Sequence, residues 1–314
     1  MQALWLENQQ LRYRTDLKIP EPETDEALVK VRLAGICATD LQLIKGYYPF
    51  TGVLGHEFVG EITKAPNAPE RIGERVVGEI NRSCQQCREC LAGRNTHCLN
   101  RSVLGILNHH GAFADYLILP LKNLHRVPDS VSDENAVFTE PLAAALQIQQ
   151  QIKINKNDKV LIIGAGKLGQ LIAHTIYLTG CELNVVARYE KQRQLLKPIS
   201  YIEKIPEKYF DIIIEATGSP TGLNSALTAI RPCGTIILKS TFADKNNINL
   251  SSLVVNEIQL IGSRCGAFKP ALKLLKHGFN TSQLIDATYP LNQSIKAIEH
   301  ATSKGSIKIL LRPN

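Results

Sequence analysis

The chain has 314 residues, 44% of them hydrophobic and 21% charged, a composition that suits about two soluble domains, each able to bury a core. Its 36 Lys and Arg against 29 Asp and Glu are scattered rather than clustered, which suits an anionic small molecule and gives no sign of nucleic-acid binding. No apolar run approaches the ~20 residues that span a bilayer, and Met1-Gln2-Ala3-Leu4-Trp5 does not open a secretory signal, so no membrane partner is expected and the cytoplasm is the expected location.

Ala27 to Leu33 alternates, with Ala27, Val29, Val31 and Leu33 on one side, and predicts a strand. Glycines 35, 46, 52, 55 and 60 then punctuate a loop-rich stretch. The character changes near Glu140-Pro141. Leu142 to Ile152 predicts a helix, Lys159 to Ile163 a short buried strand, and Gln170 to Leu178 a helix stopped by Gly180. Further strands are expected at Leu183–Ala187, Asp211–Glu215, Thr235–Lys239 and Leu260–Gly262, with a helix at Leu223–Ile230. Strands that alternate with helices imply parallel β-α-β units. The tail, from Pro270, holds two helical patterns and a terminal strand at Ile307–Leu311.

Four of the eight cysteines, Cys84, Cys87, Cys90 and Cys98, fall within fifteen residues with the spacing C-x2-C-x2-C-x7-C. Without a secretory signal, such a cluster points to metal before disulfides. Four thiolates close a tetrahedron around Zn²⁺ and leave no open position, so this site would be structural. His97 adjoins Cys98 and is left out, because neighbouring side chains rarely reach one metal together. Cys181, Cys233 and Cys265 stand alone and are expected to be small core residues.

A second set is dispersed: Cys37 in Gly35-Ile-Cys-Ala-Thr-Asp40, His56 and Glu57 in Gly55-His-Glu-Phe-Val-Gly60, and Glu140 before Pro141. One thiolate, one imidazole and one or two carboxylates suit a catalytic zinc with an exchangeable position. Taken singly, each has an ordinary reading as a core or solvated residue.

Gly164-Ala-Gly-Lys-Leu-Gly169 follows a predicted strand and opens a predicted helix. In that context G-x-G-x-x-G predicts a dinucleotide loop: Gly164 turns, Gly166 admits the pyrophosphate, Gly169 lets helix meet strand, and the backbone of Lys167 and Leu168 supplies donors. Where an acid would grip the NAD ribose after the second strand, Arg188 stands, with Lys191 and Arg193 beyond it. A guanidinium there pairs with a 2′-phosphate, so NADP(H) is expected ahead of NAD(H). The alternative is an exposed arginine beside an NAD-tolerant site, with Glu190 reaching the ribose.

These motifs and their order resemble the zinc-containing medium-chain dehydrogenase family, which includes alcohol, sorbitol and threonine dehydrogenases. The resemblance covers the whole chain. It implies an α/β protein with a GroES-like β-rich catalytic domain, residues 1–141 and 267–314, and a Rossmann doubly wound parallel-sheet domain, residues 142–266. It also implies two zincs per chain. Cys37, His56 and Glu140 would bind the catalytic zinc. Glu57 would lie beside it and ligate when water leaves, Asp40 would support His56, and Thr39 would bond the substrate oxygen. The implied activity is hydride transfer between NADP(H) and an alcohol, polyol or matching carbonyl, in a cleft between the domains, by a homodimer or homotetramer. Two features depart from the family. Gln42 stands where a proton-relaying histidine is frequent, and the stretch from Leu195 to Phe210 is short, as if a strand or helix were trimmed. The rival readings are a catalytically reduced cofactor- and zinc-binding family member that acts as a binding protein, and a zinc-ribbon nucleic-acid module.

Overall fold

The computed structural model describes residues 1–241 and 250–313. The chain divides into two compact units, Met1–Glu140 with Ala267–Asn314, and Pro141–Gly266.

The first unit is mostly strand. Its larger sheet runs Leu124–Arg126, Arg75–Gly78, Glu57–Lys64, Glu26–Gly35, Lys308–Arg312, Ile285–Pro290, with Tyr116–Pro120 also paired to Glu26–Gly35. The predicted alternation is visible in the long central strand. Ala27, Val29, Val31 and Leu33 are buried, while Lys30 and Arg32 are exposed, so one face packs inward. The last strand, Lys308–Arg312, pairs parallel to Ile285–Pro290 and antiparallel to the end of Glu26–Gly35. The strand Ile285–Pro290 was not anticipated, because only Ile285, Ala287 and Tyr289 break its polar residues and none of its six is buried. A small sheet, Gln10–Arg14, Ala3–Glu7, Gly52–Val53, ties the N-terminus to the segment that precedes His56.

The second unit holds a six-stranded, wholly parallel sheet in the order Ser200–Tyr201, Glu182–Val186, Lys159–Ile163, Phe210–Glu215, Ile230–Leu238, Gln259–Gly262. Val160, Leu161, Ile162 and Ile163 are all buried, as expected of a strand covered on both faces. Leu223, Ala226 and Ala229 on the helix Pro220–Ala229 pack on Leu161, Ile213 and Ile236. The short stretch after Leu195 keeps its place in the order as a two-residue strand, Ser200–Tyr201, and no helix lies between Tyr201 and Phe210. At the far edge, Gln259–Gly262 is exposed rather than buried.

Two local expectations are corrected. Glu140 was expected in extended backbone before Pro141. It lies instead inside the helix Thr139–Gln151, where Pro141 occupies the first turn and its missing N–H has no helical partner to lose. Cys233 is exposed, with a φ of 58° in the irregular first half of the strand Ile230–Leu238, so it is not a core residue, and Cys181 and Cys265 are only partly buried.

Candidate zinc and dinucleotide sites

The four-cysteine cluster comes together in space. Cys84, Cys87, Cys90 and Cys98 place their sulfurs within 4.8 Å of one another. Cys87 Sγ lies 3.5 Å from Cys90 Sγ and 3.8 Å from Cys98 Sγ, and Cys84 and Cys98 are 3.5 Å apart. Four sulfurs each about 2.3 Å from one ion would be about 3.75 Å apart. Backbone N–H groups of Cys90 and Leu99 point at Cys87 and lower its pKa to about 6, while burial pushes Cys90 up to about 12. A lobe that turns amide donors toward a thiolate is built for a cation. All eight cysteines are free.

The dispersed set also converges, in part. Donor atoms of Cys37, His56 and Glu57 lie within 4.8 Å of one another. Cys37 precedes the helix Ala38–Ile44, and the Cys37 N–H donates to Asp40 Oδ2 at 2.8 Å. The other oxygen of Asp40 faces His56 Nδ1 at 3.2 Å, with both side chains buried. That contact turns Nε2 of the ring toward the sulfur, the arrangement of a metal-binding histidine backed by a carboxylate. Burial opposes charge on His56, yet Asp40 and Cys37 raise its pKa well above the usual imidazole value. The pocket therefore favours a positive charge, which a divalent ion supplies. Glu57 Oε1 is buried with no hydrogen-bond partner among the described residues, a further acceptor that fits a cation. Thr39 Oγ1 lies 3.9 Å from Cys37 Sγ. Glu140 is not in the three-donor group; it is half-buried at the start of its helix, and its charge is felt at Lys308.

Sequence reading missed Lys308. It is 2% exposed, and its ammonium is paired with Glu57 Oε2 across 251 residues of chain. Burial opposes its charge, but Glu57 first and then Cys37 and Glu140 raise its pKa above the ordinary lysine value. The available signal was one lysine inside the apolar run Ile307-Lys-Ile-Leu-Leu311.

In the second unit, the glycine loop joins the strand Lys159–Ile163 to the helix Lys167–Tyr177. Gly164 has a φ of 105°, and a Cβ there would lie 2.8 Å from Ala216 O. A Cβ on Gly169 would lie 1.9 Å from Gly164 O, whereas one on Gly166 would meet nothing within 4 Å. The first and third glycines are thus fixed by packing, and the second leaves open space at the helix N-terminus, where a diphosphate fits. The structure separates the two arginines. Arg193 is occupied: it donates to Ala187 O, pairs with Glu203 at 3.2 Å and lies over the Tyr201 ring. Arg188 is exposed and has no ion pair among the described residues.

Comparison with known proteins agrees with this geometry. Residues 23–129 match the alcohol dehydrogenase GroES-like domain, and residues 169–277 match the zinc-binding dehydrogenase domain. The chain is 29% identical to sorbitol dehydrogenase of Halalkalibacterium halodurans, with 94% of this chain and 93% of that protein covered. It is 28% identical to D-arabitol-phosphate dehydrogenase of Enterococcus avium, with 95% and 93% covered. Among solved structures, a zinc-binding dehydrogenase from Sinorhizobium meliloti 1021 bound to NADP superposes with a TM-score of 0.91 at 27% identity, over 99% of both chains. An alcohol dehydrogenase from Escherichia coli CFT073 complexed with NADH gives 0.90 at 28% identity, again over 99% of both. With a GroES-like unit that carries two thiolate-bearing clusters and a Rossmann unit that carries the glycine loop, the chain belongs to the zinc-containing medium-chain dehydrogenase family.

Proposed function

We propose that this protein is a zinc-dependent dehydrogenase that transfers hydride between NADP(H) and a secondary alcohol, polyol or the matching carbonyl compound. The observation that carries the reading is the convergence of Cys37, His56 and Glu57, three donors brought together from two separate stretches of sequence. Relatives that oxidise sorbitol and an arabitol phosphate support the substrate class.

Zinc held there supplies Lewis acidity, which makes an alcohol proton easier to lose and a carbonyl carbon easier to attack, while the nicotinamide accepts or gives the hydride. The chain's own groups do the rest. Asp40 fixes the His56 ring and its tautomer. Thr39, beside Cys37, is placed to take the substrate hydroxyl proton into a hydrogen bond. Glu140, in the first turn of its helix, would be the third protein ligand of that zinc. Glu57, already countered by Lys308, is held as a reserve carboxylate. In the second unit, Gly164, Gly166 and Gly169 with the backbone of Lys167 and Leu168 cradle the diphosphate. Arg188, exposed and with no ion pair among the described residues, meets the 2′-phosphate, and Arg193 buttresses Tyr201. Gln42 cannot titrate near neutral pH, so the proton leaves through water or through a group other than this side chain.

The exposed edge strand Gln259–Gly262 with Val254 and Val255, 77% and 80% exposed, supports a homodimer in which two such edges pair about a two-fold axis. Among the described residues no helix is long and apolar enough to cross a membrane.

Metal analysis with an alcohol and polyol panel tests the reading. Two zincs per chain and NADP⁺ reduction by at least one member are expected. Fewer than two zincs, or no turnover with zinc-loaded protein, removes it in favour of a binding protein. Light scattering that shows a monomer removes the dimer.

A further inference from the structure

In the first unit a cavity of about 190 Å³ is lined by Pro49, Phe50, Thr51, Asn108, His109 and His110. The cavity adjoins the chain that delivers His56. Residues after His110 run beside Val53–Gly55, with Gly111 N–H donating to Val53 O, Phe113 N–H to Leu54 O and Ala112 N–H to Gly55 O. Val53 precedes His56 by three residues, at most about 11 Å of extended backbone.

The His110 ring is held in one orientation by three contacts. The Val53 N–H donates to its Nδ1 at 3.3 Å. Trp5 lies against it, with ring centroids 5.2 Å apart. Gly52 leaves it room, since a Cβ there would stand 2.6 Å from Nδ1, and the φ of 145° suits glycine. With Nδ1 an acceptor, the neutral ring carries its hydrogen on Nε2 and presents a donor. His110 is exposed, and the partial burial of its ring lowers its pKa. The neighbouring His109 is fully engaged: its Nε2–H donates to Ile118 O, and its Nδ1 accepts from Arg82, which also pairs with Glu26. Burial lowers the His109 pKa to about 4. The lining therefore offers hydroxyl, amide and one ring N–H, and no lysine or arginine.

We propose that this cavity holds the uncharged far end of a polyhydroxylated substrate, with the His110 Nε2–H donating to one of its hydroxyl oxygens. The inference rests on the dehydrogenase reading for the identity of the reacting end. Arg82 stands behind His109 but is already paired with Glu26, so a phosphate or carboxylate at the same end would meet no unpaired cation in the cavity lining to offset its desolvation, and His110 selects neutral polyols over their phosphates.

Trp5 is the single tryptophan of the chain and touches the His110 ring, so its fluorescence reports occupancy without turnover. The full-length zinc-loaded protein is titrated with xylitol, D-arabitol and sorbitol, and with D-arabitol 5-phosphate and sorbitol 6-phosphate. At least one polyol is expected to give a saturable change, with its phosphate at least tenfold weaker. His110→Phe keeps the stack but loses the donor and should weaken polyol binding roughly tenfold, the scale of one net hydrogen bond. His110→Gln restores a donor and should recover to within about threefold. No saturable change with any polyol, tighter binding of a phosphate, or an unchanged Kd in His110→Phe overturns the proposal. NADP⁺ reduction measured alongside separates the two claims. Binding without turnover leaves the cavity assignment and removes the dehydrogenase reading. Turnover without a Trp5 response does the reverse.

Discussion

Lys308→Met isolates the buried pair behind the proposed zinc site. Lys308 and Glu57 are 2% and 1% exposed and in direct contact. Two unit charges at about 4 Å attract by about 4 kcal/mol at an effective dielectric of ~20. Both have also given up hydration, so removal of one strands the other, at a cost of about 3–5 kcal/mol. Methionine fills the lysine stem's volume, so little of the loss comes from a cavity. Lys308→Met and Glu57→Gln should each lower the unfolding free energy of the zinc-stripped first unit by about 3 kcal/mol or more. The double variant should lose less stability than the sum of the two single losses, by a coupling energy of about 2–3 kcal/mol. Urea unfolding followed by Trp5 fluorescence reads the first unit alone, because Trp5 lies in it. Zinc adds a further check. In Lys308→Met the uncompensated Glu57 should gain most from a bound cation, so zinc should restore more stability to this variant than to wild type. Additive single losses, with a coupling below about 0.5 kcal/mol, would refute the argument that each charge is retained for the other.

The other predictions concern the proposed ligands, the cofactor and pH. Cys37→Ser should reduce zinc from two to one per chain and abolish turnover while the Kd for NADPH stays within about threefold; retained turnover sinks the catalytic role of this sulfur. Arg188→Asp should weaken NADPH binding by about 10²-fold, from loss of a bidentate pair and gain of a repulsion, and leave NADH within a fewfold; equal losses for both would show that Arg188 does not read the 2′-phosphate. His109 has a folded pKa of about 4 against an ordinary value of 6.5, so the unfolded chain binds the extra proton between those values. Stability from this residue is therefore full above about pH 6.5 and falls as pH drops toward 4, by about 2–3 kcal/mol. His109→Gln should lose correspondingly less between pH 7 and pH 4.5 than wild type in the Trp5-monitored transition. Identical losses would mean the imidazole is not buried neutral.

The sequence was most informative where backbone geometry is local. The C-x2-C-x2-C spacing brings its sulfurs together by curling a short loop, and the glycines at 164, 166 and 169 announce a strand-to-helix turn because only that turn needs all three. Alternation in Ala27–Leu33 and the continuous apolar run at 160–163 gave the strands their faces. Legibility failed where long-range packing decides. Lys308 is 251 residues from Glu57 in sequence, so nothing local to the run at 307–311 names its partner. Glu140 sits in helical backbone because the turns before it carry on through Pro141, which a dipeptide rule for residues before proline does not see. Arg193 and Arg188 look interchangeable in the sequence, and the segment at 200–203 distinguishes them, by giving Arg193 the Tyr201 ring and the Glu203 carboxylate to hold.

The position of Lys308 in the chain bears on how the protein is made. The strand Lys308–Arg312 is inserted between Glu26–Gly35 and Ile285–Pro290, so the first unit is assembled from segments that lie on both sides of the parallel-sheet unit in sequence. The parallel-sheet unit, residues 141–266, is contiguous and has its full set of strands while the ribosome is still working. Until residues 308–312 are made, the carboxylate at position 57 has no ammonium beside it and that strand of its sheet is missing. Zinc taken up by Cys37 and His56 on the nascent chain would therefore be held by an unfinished pocket, and secure retention would come only once the strand Lys308–Arg312 has been made and inserted.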